Sequence, residues 1–288
     1  MPVINSSDFD LDYLEQWTRH EPVTQIEILD LRPALTLSAM LNQHRAPQMG
    51  DALPPLWQWA YFTPAPLASE IGNDGHPIRG GFLPPVPLPR RMWAASKIRF
   101  NAPLRLGETV QKQSRIDNVI LKQGASGALV FVAVEHLYSV ETEPRIAEEQ
   151  TLVYMSEHRV GGPGTKSGEP IEAGAWSRRI TPDPVMLFRY SALTGNTHRI
   201  HYDRDYATRE EGYSGLLVHA PWTVTLLVEL LQEHCSGITM TEFSFRAIRP
   251  LLDTAAFTLH GQRKGDKVIL QAVDADGQLA VDATALLG

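Results

Sequence analysis

The sequence predicts an α+β fold made of two similar halves, each an antiparallel sheet with a long apolar helix against it. Three observations predict it. Residues 97–109 resemble residues 242–254: Phe100 aligns with Phe245, Ala102 with Ala247, Leu106 with Leu251 and Glu108 with Asp253, at an offset of half the chain. Two strand-like runs with a turn between them follow each copy. An apolar helix, residues 224–231, opens at Pro221, where a missing N–H costs nothing.

The elements follow in order. In the first half the runs are residues 109–120 and 128–140, joined by a Gly-containing turn at 122–127. In the second half they are 256–262 and 267–273, with a further turn at 274–277 before a run over 278–286. Val268, Leu270 and Ala272 alternate as a half-buried antiparallel strand does. Residues 158–170, rich in Gly, Pro and Ser, read as a linker. The first half is thus 1–157 and the second 171–288. Within the second, Thr181-Pro182-Asp183 marks a helix start, Met186, Leu187, Tyr190 and Leu193 recur at helical spacing, and Gly195 can close the helix in a left-handed cap. Asp203 suits the N-cap of a short helix over 204–210.

Composition excludes several classes. The chain has 288 residues, enough to bury a real core, and no apolar run long enough to span a bilayer. Residues 1–12 are acidic and lack the grammar of a signal peptide. The one cysteine, Cys235, excludes internal disulfides and fits a reducing, cytoplasmic setting. A net charge of −7 argues against a nucleic-acid partner. An anionic ligand would therefore need a local basic patch.

The most informative stretch is residues 190–203, YSALTGNTHRIHYD. It sets Asn196, His198 and His201 on a loop braced by a helix, where chemistry is usually displayed. Downstream, GYSGLLVHAPW (212–222) leads into the apolar helix, whose first N–H groups face whatever lies in front of them. A loop histidine and free N–H donors can move a proton beside an oxyanion.

These residues resemble the hydratase motif of MaoC-like hot-dog enzymes, roughly Gly-Asp-x-Asn-Pro-(Leu/Ile)-His. Gly195, Ile200 and His201 match. Asn196 stands at the family's aspartate, His198 at its asparagine and Arg199 at its proline. Together with GFLPPVPLPRRMW (81–93), the chain resembles the double-hot-dog branch that holds itaconyl-CoA and mesaconyl-C4-CoA hydratases and hydroxyacyl-thioester dehydratases. The resemblance implies a double hot dog, an acyl-CoA thioester as partner and no metal or redox cofactor; composition adds the expectation of no membrane or nucleic-acid partner. The fused copies mimic the dimer of single hot dogs; a homodimer of double hot dogs stays open.

By the resemblance His201 is the general base and acid, and the N–H near Ala220 is the oxyanion hole. Asn196 cannot ionise but can orient a water or bond the thioester, or it can simply cap the helix terminus. Asp203 can polarise His201 or cap the next helix. His198 lines the site or is an ordinary loop histidine. His198, His201, Asp203 and Asp205 could hold zinc, but no further ligand pair appears and no metal is expected. Arg90 and Arg91, beside Met92 and Trp93, close a proline-stiffened loop and can clamp a free carboxylate, or be an exposed basic turn. Arg246 and Arg249, with Arg263, Lys264 and Lys267, are candidates for the CoA phosphates. Under the offset His201 matches Leu56, with no His or acid in a comparable setting, so the first half is expected to have kept its fold and lost its own site, leaving one active site per chain at the interface of the halves.

The leading expectation is hydration of a C5 dicarboxylic enoyl-CoA to citramalyl-CoA. A fatty 3-hydroxyacyl-thioester dehydratase is the runner-up. A thioesterase would need a carboxylate on the central helix, where only Glu229 lies well inside. A non-catalytic acyl-thioester binder would explain Asn196.

Overall fold

The computed structural model describes residues 10–124, 127–155, 168, 169, 171 and 175–288. The strands are β1 (Val23–Ile28), β2 (Arg90–Phe100), β3 (Thr109–Gly124), β4 (Gly127–Val140), β5 (Glu143–Met155), β6 (Trp176–Ile180), β7 (Met240–Ala247), β8 (Phe257–Lys264), β9 (Lys267–Val273) and β10 (Leu279–Leu287). The helices are α1 (Leu11–Glu15), α2 (Leu31–Met40), α3 (Pro184–Thr194) and α4 (Ala220–His234). All ten strands join one antiparallel sheet, ordered β1-β3-β4-β5-β2-β7-β10-β9-β8-β6. The α+β hot-dog class expected from the sequence holds.

The order mirrors itself about the β2–β7 seam, each strand facing the place of the one five later in chain order. At that seam Ile98 pairs with Phe243, its own counterpart under the offset that aligns Phe100 with Phe245. The hairpins lie where alternation put them. β3 and β4 pair from Val110↔Val140 to Gly124↔Gly127, and the turn at Asp274 is closed by Gly277 N–H to Asp274 O at 3.1 Å. β1, β2, β5 and β6 lie outside the predicted runs, β2 starting where the proline loop was expected to close. β1 and β6 are short edges. β5 carries Glu148 at an inward position, which breaks its apolar alternation; the carboxylate is buried and accepts from Trp59 Nε1 at 3.1 Å and Ser96 Oγ at 3.0 Å.

α4 is buried at ten consecutive residues, Trp222 to Leu231, as a helix enclosed on all sides must be. It packs on β6, β8, β9 and β10. Each fully buried leucine there contributes about 1.5–3 kcal/mol. Among the described residues the first half holds no long helix to match α4; its longest is α2, ten residues. Between α2 and β2 the described chain holds only two 3₁₀ turns, Trp57–Ala60 and Ala68–Glu70. Ten prolines fall between Leu41 and Arg90, and each removes an N–H and restricts the residue before it. This proline-rich stretch runs across to the second half instead. One core spans both halves, joining Leu37, Trp57 and Ile98 to Leu187, Trp222 and Phe243. A smaller one gathers Leu14, Trp17, Val86, Leu88 and Tyr154. The expected linker, apart from Gly168 and Glu169, lies outside the described residues, as do Ala125 and Ser126 of the β3–β4 turn. No helix among the described residues is long and apolar enough to cross a membrane.

Candidate active site

α3 starts at Pro184 with Asp183 as its cap, the carboxylate accepting from Val185 N at 2.8 Å and Met186 N at 3.0 Å. It ends at Gly195 with φ +62°, the left-handed conformation glycine tolerates. The chain then turns tightly. Asn196 N–H donates to Ser191 O at 3.0 Å, and Asn196 Oδ1 accepts from His198 N–H at 3.1 Å. A 3₁₀ turn, Arg199–His201, buries Ile200 and His201. His201 Nδ1 lies 2.9 Å from Leu217 O. A carbonyl only accepts, so Nδ1 carries the hydrogen and Nε2 keeps its lone pair.

His201 belongs to a row of four imidazoles. His219, the residue before α4, stacks on it at 3.7 Å and 20°. His198 stands edge-on at 5.7 Å, and His76 of the first half lies 4.0 Å beyond His198. His219 Nε2 bonds Ser191 Oγ at 2.9 Å. Burial is the main cause that pushes all four below the ordinary histidine range. His201 falls to about 4, with the Leu217 carbonyl pulling the other way and His76 lowering it further. His198 falls to about 2 through burial, then His76 and His201. His219 falls well below its ordinary value through burial, then His201 and His198. His76 is lowered by burial, against the hydrogen bond it donates to Asp74. At neutral pH the row is uncharged.

The first half contributes to this row without an imidazole at the position that matches His201. Leu56, the counterpart of His201, is buried core with φ +72°. Asp74 and His76 enter instead, from a loop far from that counterpart. The departures from the family motif explain how. Arg199 N–H donates to Asp74 O at 2.9 Å, a bond the family's proline could not make. The Arg199 guanidinium bonds Asn73 O at 3.0 Å and Asp203 at 2.7 Å. Asp203 is thus spent on Arg199 and on capping Tyr206 N at 3.1 Å, and the following turn is a π-helix, Tyr206–Glu210. A sequence signal existed in the turn-forming run GNDGHP (72–77), which sets an acid and a histidine two residues apart.

The remaining candidates separate. Ala220 opens α4 just after the ring stacked on His201; His219 supplies no side-chain cap and Pro221 follows, so the Ala220 N–H, a first-turn donor, has no partner among the described residues. Arg90 and Arg91 begin β2 rather than close the loop. Arg90 is committed to Glu211, bonding its carboxylate at 2.8 Å and its carbonyl at 2.9 Å, and so is not available as a clamp. Arg91 has no acidic partner among the described residues, and its charge depresses His76 and His198. Arg79 braces the proline loop from inside, donating to the carbonyls of Val86 at 2.7 Å, Leu88 and Pro89. Trp93 is packed between Trp59 and Phe245, its N–H held by Ala95 O and Ser96 Oγ at 3.0 Å, a core role rather than a pocket lining. Arg246 is exposed and pairs with Asp282 at 3.2 Å, and Glu169 holds Lys264 and Lys267 at 3.1 and 2.6 Å. Cys235 is buried at the end of α4. Glu229 accepts from Gln43 at 3.0 Å, about 14 Å along α4 from Ala220 at 1.5 Å per residue, which does not suit a thioesterase acid beside this row.

The fold and the imidazole at the head of its central helix define a MaoC-like hot-dog enzyme. Residues 56–253 match the sequence profile of hydroxyacyl-thioester dehydratase type 2. The chain is 46% identical over 247 residues to mesaconyl-C(4)-CoA hydratase of Chloroflexus aurantiacus, covering 84% of this chain and 86% of that one. It is 29% identical over 224 residues to the mitochondrial hydroxyacyl-thioester dehydratase type 2 of Schizosaccharomyces pombe, covering 69% and 74%. Its fold is similar to that of a MaoC-like dehydratase from Phytophthora capsici, with TM-score 0.68, 15% identity and coverage of 97% and 99%. The chain belongs to the hydroxyacyl-thioester dehydratase type 2 family, within the MaoC-like hot-dog hydratases and dehydratases, and is a hydro-lyase.

Proposed function

We propose that this hydro-lyase adds water to a short branched dicarboxylic enoyl-CoA, itaconyl-CoA or mesaconyl-C4-CoA, to give citramalyl-CoA. The observation that carries the reading is His201: neutral, its Nδ1–H spent on Leu217 O, its Nε2 lone pair free at the uncapped head of α4. The water oxygen bonds the β-carbon as His201 Nε2 takes one water proton. For mesaconyl-C4-CoA, whose double bond is conjugated with the thioester, the π pair moves through the α-carbon onto the thioester oxygen, where the Ala220 N–H stabilises it; itaconyl-CoA would first need its double bond moved into that conjugation. The enolate then takes the proton back from the imidazolium at the α-carbon. One water is added, and no metal or redox cofactor enters; CoA is part of the substrate. Asn196 Oδ1 is occupied by His198 N–H, so its amide NH₂ is the group left to orient the water.

The dicarboxylic choice rests on the relative named mesaconyl-C(4)-CoA hydratase and on Arg91, a guanidinium without an acidic partner among the described residues beside the imidazole row. A reducing, cytoplasmic setting belongs to the same reading, supported by a single buried cysteine. The test is turnover of itaconyl-CoA, mesaconyl-C4-CoA, crotonyl-CoA and a medium-chain enoyl-CoA by wild type, His201→Ala and Arg91→Ala. His201→Ala is expected to lower kcat by about 10²–10⁴. Arg91→Ala is expected to raise KM for the dicarboxylic esters and leave crotonyl-CoA unchanged. Preference for the medium-chain ester would overturn the substrate and favour a fatty-acyl dehydratase; binding without any turnover would overturn the reaction.

A further inference from the structure

Residues 72–77 of the first half are seated backbone against backbone on the hydratase motif. Arg199 N–H donates to Asp74 O at 2.9 Å, the Arg199 guanidinium to Asn73 O at 3.0 Å, and Thr197 Oγ to Gly75 O. Gly75 has φ +89°, and a Cβ there would lie 1.9 Å from Thr197 O, so nothing larger than glycine fits the contact. What this docking delivers is one side-chain pair. Asp74 Oδ1 accepts the His76 backbone N–H at 2.9 Å, and Oδ2 lies 3.1 Å from His76 Nδ1. Burial alone would raise the Asp74 carboxyl, but the hydrogen bonds from His76 outweigh it and hold it below the ordinary carboxylate range. A carboxylate facing Nδ1 makes that nitrogen the donor and leaves the His76 Nε2 lone pair free. The His76 side chain keeps 19% of its surface accessible, so the ring is not sealed. The charged and titratable groups acting on it are Asp74, Arg91, Arg79, His198 and His201.

Resting on the hydratase reading above, we propose that His76, fixed by Asp74, is a second catalytic residue of the same site, whose Nε2 accepts the other hydrogen of the attacking water. The carboxylate that the motif lacks at Asn196 would then come from the first half, acting through an imidazole. One water hydrogen points at His201 Nε2 and is transferred as the carbon–oxygen bond forms. The other points at His76 Nε2 and stays on the product hydroxyl. The oxygen is left with one lone pair aimed at the β-carbon and one for the Asn196 amide. Two imidazoles, each with its Nδ1–H already committed, orient the nucleophile without charge on either ring.

The test uses the full chain and whichever enoyl-CoA the wild type turns over. His76→Phe keeps a ring against His198 and removes the acceptor; Asp74→Asn removes only the charge. Both are expected to lower kcat, His76→Phe by about 10²-fold or more and Asp74→Asn by about 10-fold or more. Binding of a saturated acyl-CoA analogue should change by less than about threefold. Because both rings hold one water, His76→Phe with His201→Ala should cost little more than the worse single change, where independent structural defects would multiply. Wild-type kcat in either variant, losses confined to binding, or multiplying losses would overturn the proposal while leaving His201 in place. If His76→Phe does not fold, as a thermal melt would show, Asp74→Asn carries the test. The donor atoms of Asp74, His76 and His198 lie within 4.8 Å of one another, so activity lost to EDTA and restored by a divalent metal would also overturn it. If wild type turns over no ester, it is the hydratase reading that fails.

Discussion

At the scale of single residues the site depends on which atom of each side chain is already occupied. His201 could not serve as a base with Nε2 bonded and Nδ1 free; the Leu217 carbonyl decides this at 2.9 Å. Asn196, read as a substitute for an acid, has its oxygen turned to His198 N–H, which makes it a turn cap with only its amide group to offer. Arg90 and Arg91 are adjacent in sequence yet differ in kind, because neighbouring strand residues point to opposite faces: one is bonded to Glu211 and the other has no acidic partner among the described residues. Gly75 is the residue that lets the two backbones touch. Gly75→Ala is expected to cost about 1–3 kcal/mol from the positive φ alone, and to displace Asp74 and His76 because the new Cβ meets Thr197 O. Urea unfolding and turnover of the same sample check this. A variant with wild-type midpoint and kcat would mean that the loop is not seated as described.

At the scale of elements, the second half is held by α4 and the first by its strands and a proline loop with few donors of its own, Val86 N–H to Pro84 O at 2.8 Å being one. Arg79 supplies donors to the carbonyls of that loop, since four of the six residues from Pro84 to Pro89 have no N–H to give. Arg90 fastens the start of β2 to the segment after the motif, with side chains 24% and 14% exposed. Arg90→Ala is expected to destabilise by about 1–3 kcal/mol, because it leaves a partly buried carboxylate and a carbonyl without their donor. The urea midpoint should fall with an unchanged slope, and Arg90→Lys should recover little, since an ammonium cannot fork to both oxygens. A midpoint unmoved by Arg90→Ala would show the pair to be solvated and without structural weight.

At the scale of the whole molecule, four neutral imidazoles packed together make the fold acid-sensitive. His201 titrates at about 4 in the folded chain against an ordinary 6.5. The unfolded chain therefore binds protons between those values that the folded chain does not. Stability is full above pH 6.5 and falls as pH drops towards 4, by up to about 3 kcal/mol for His201 alone. His76, His198 and His219 are shifted the same way and add to the loss. Urea midpoints at pH 7.5 and 5.5, above the range where carboxylates dominate, are expected to differ clearly. Equal midpoints would mean that water reaches the row and that the imidazoles titrate normally.

Local pattern carried a large part of this molecule. The β3–β4 and β8–β9–β10 hairpins, the cap at Asp183, the left-handed end at Gly195, the buried α4 and the repeat through Phe100 and Phe245 are all written in spacings of a few residues, where side-chain periodicity and turn chemistry act. So was the segment holding His201. Four features were beyond that reach. Glu148 hid β5 because only the surrounding Trp59 and Ser96 make a buried carboxylate tolerable there. Prolines removed the first half's helix, which the repeat alone implied. The different fates of Arg90 and Arg91 depend on Glu211, a partner 121 residues away in sequence. Asp74 and His76 meet His198 only because β2 and β7 pair across the seam and bring a loop of one half onto the motif of the other. The sequence by itself determined most of the elements, the family resemblance and the segment that carries His201; tertiary structure decided which charges are spent and that Asp74 and His76 lie beside His198, because those depend on contacts between residues more than a hundred positions apart.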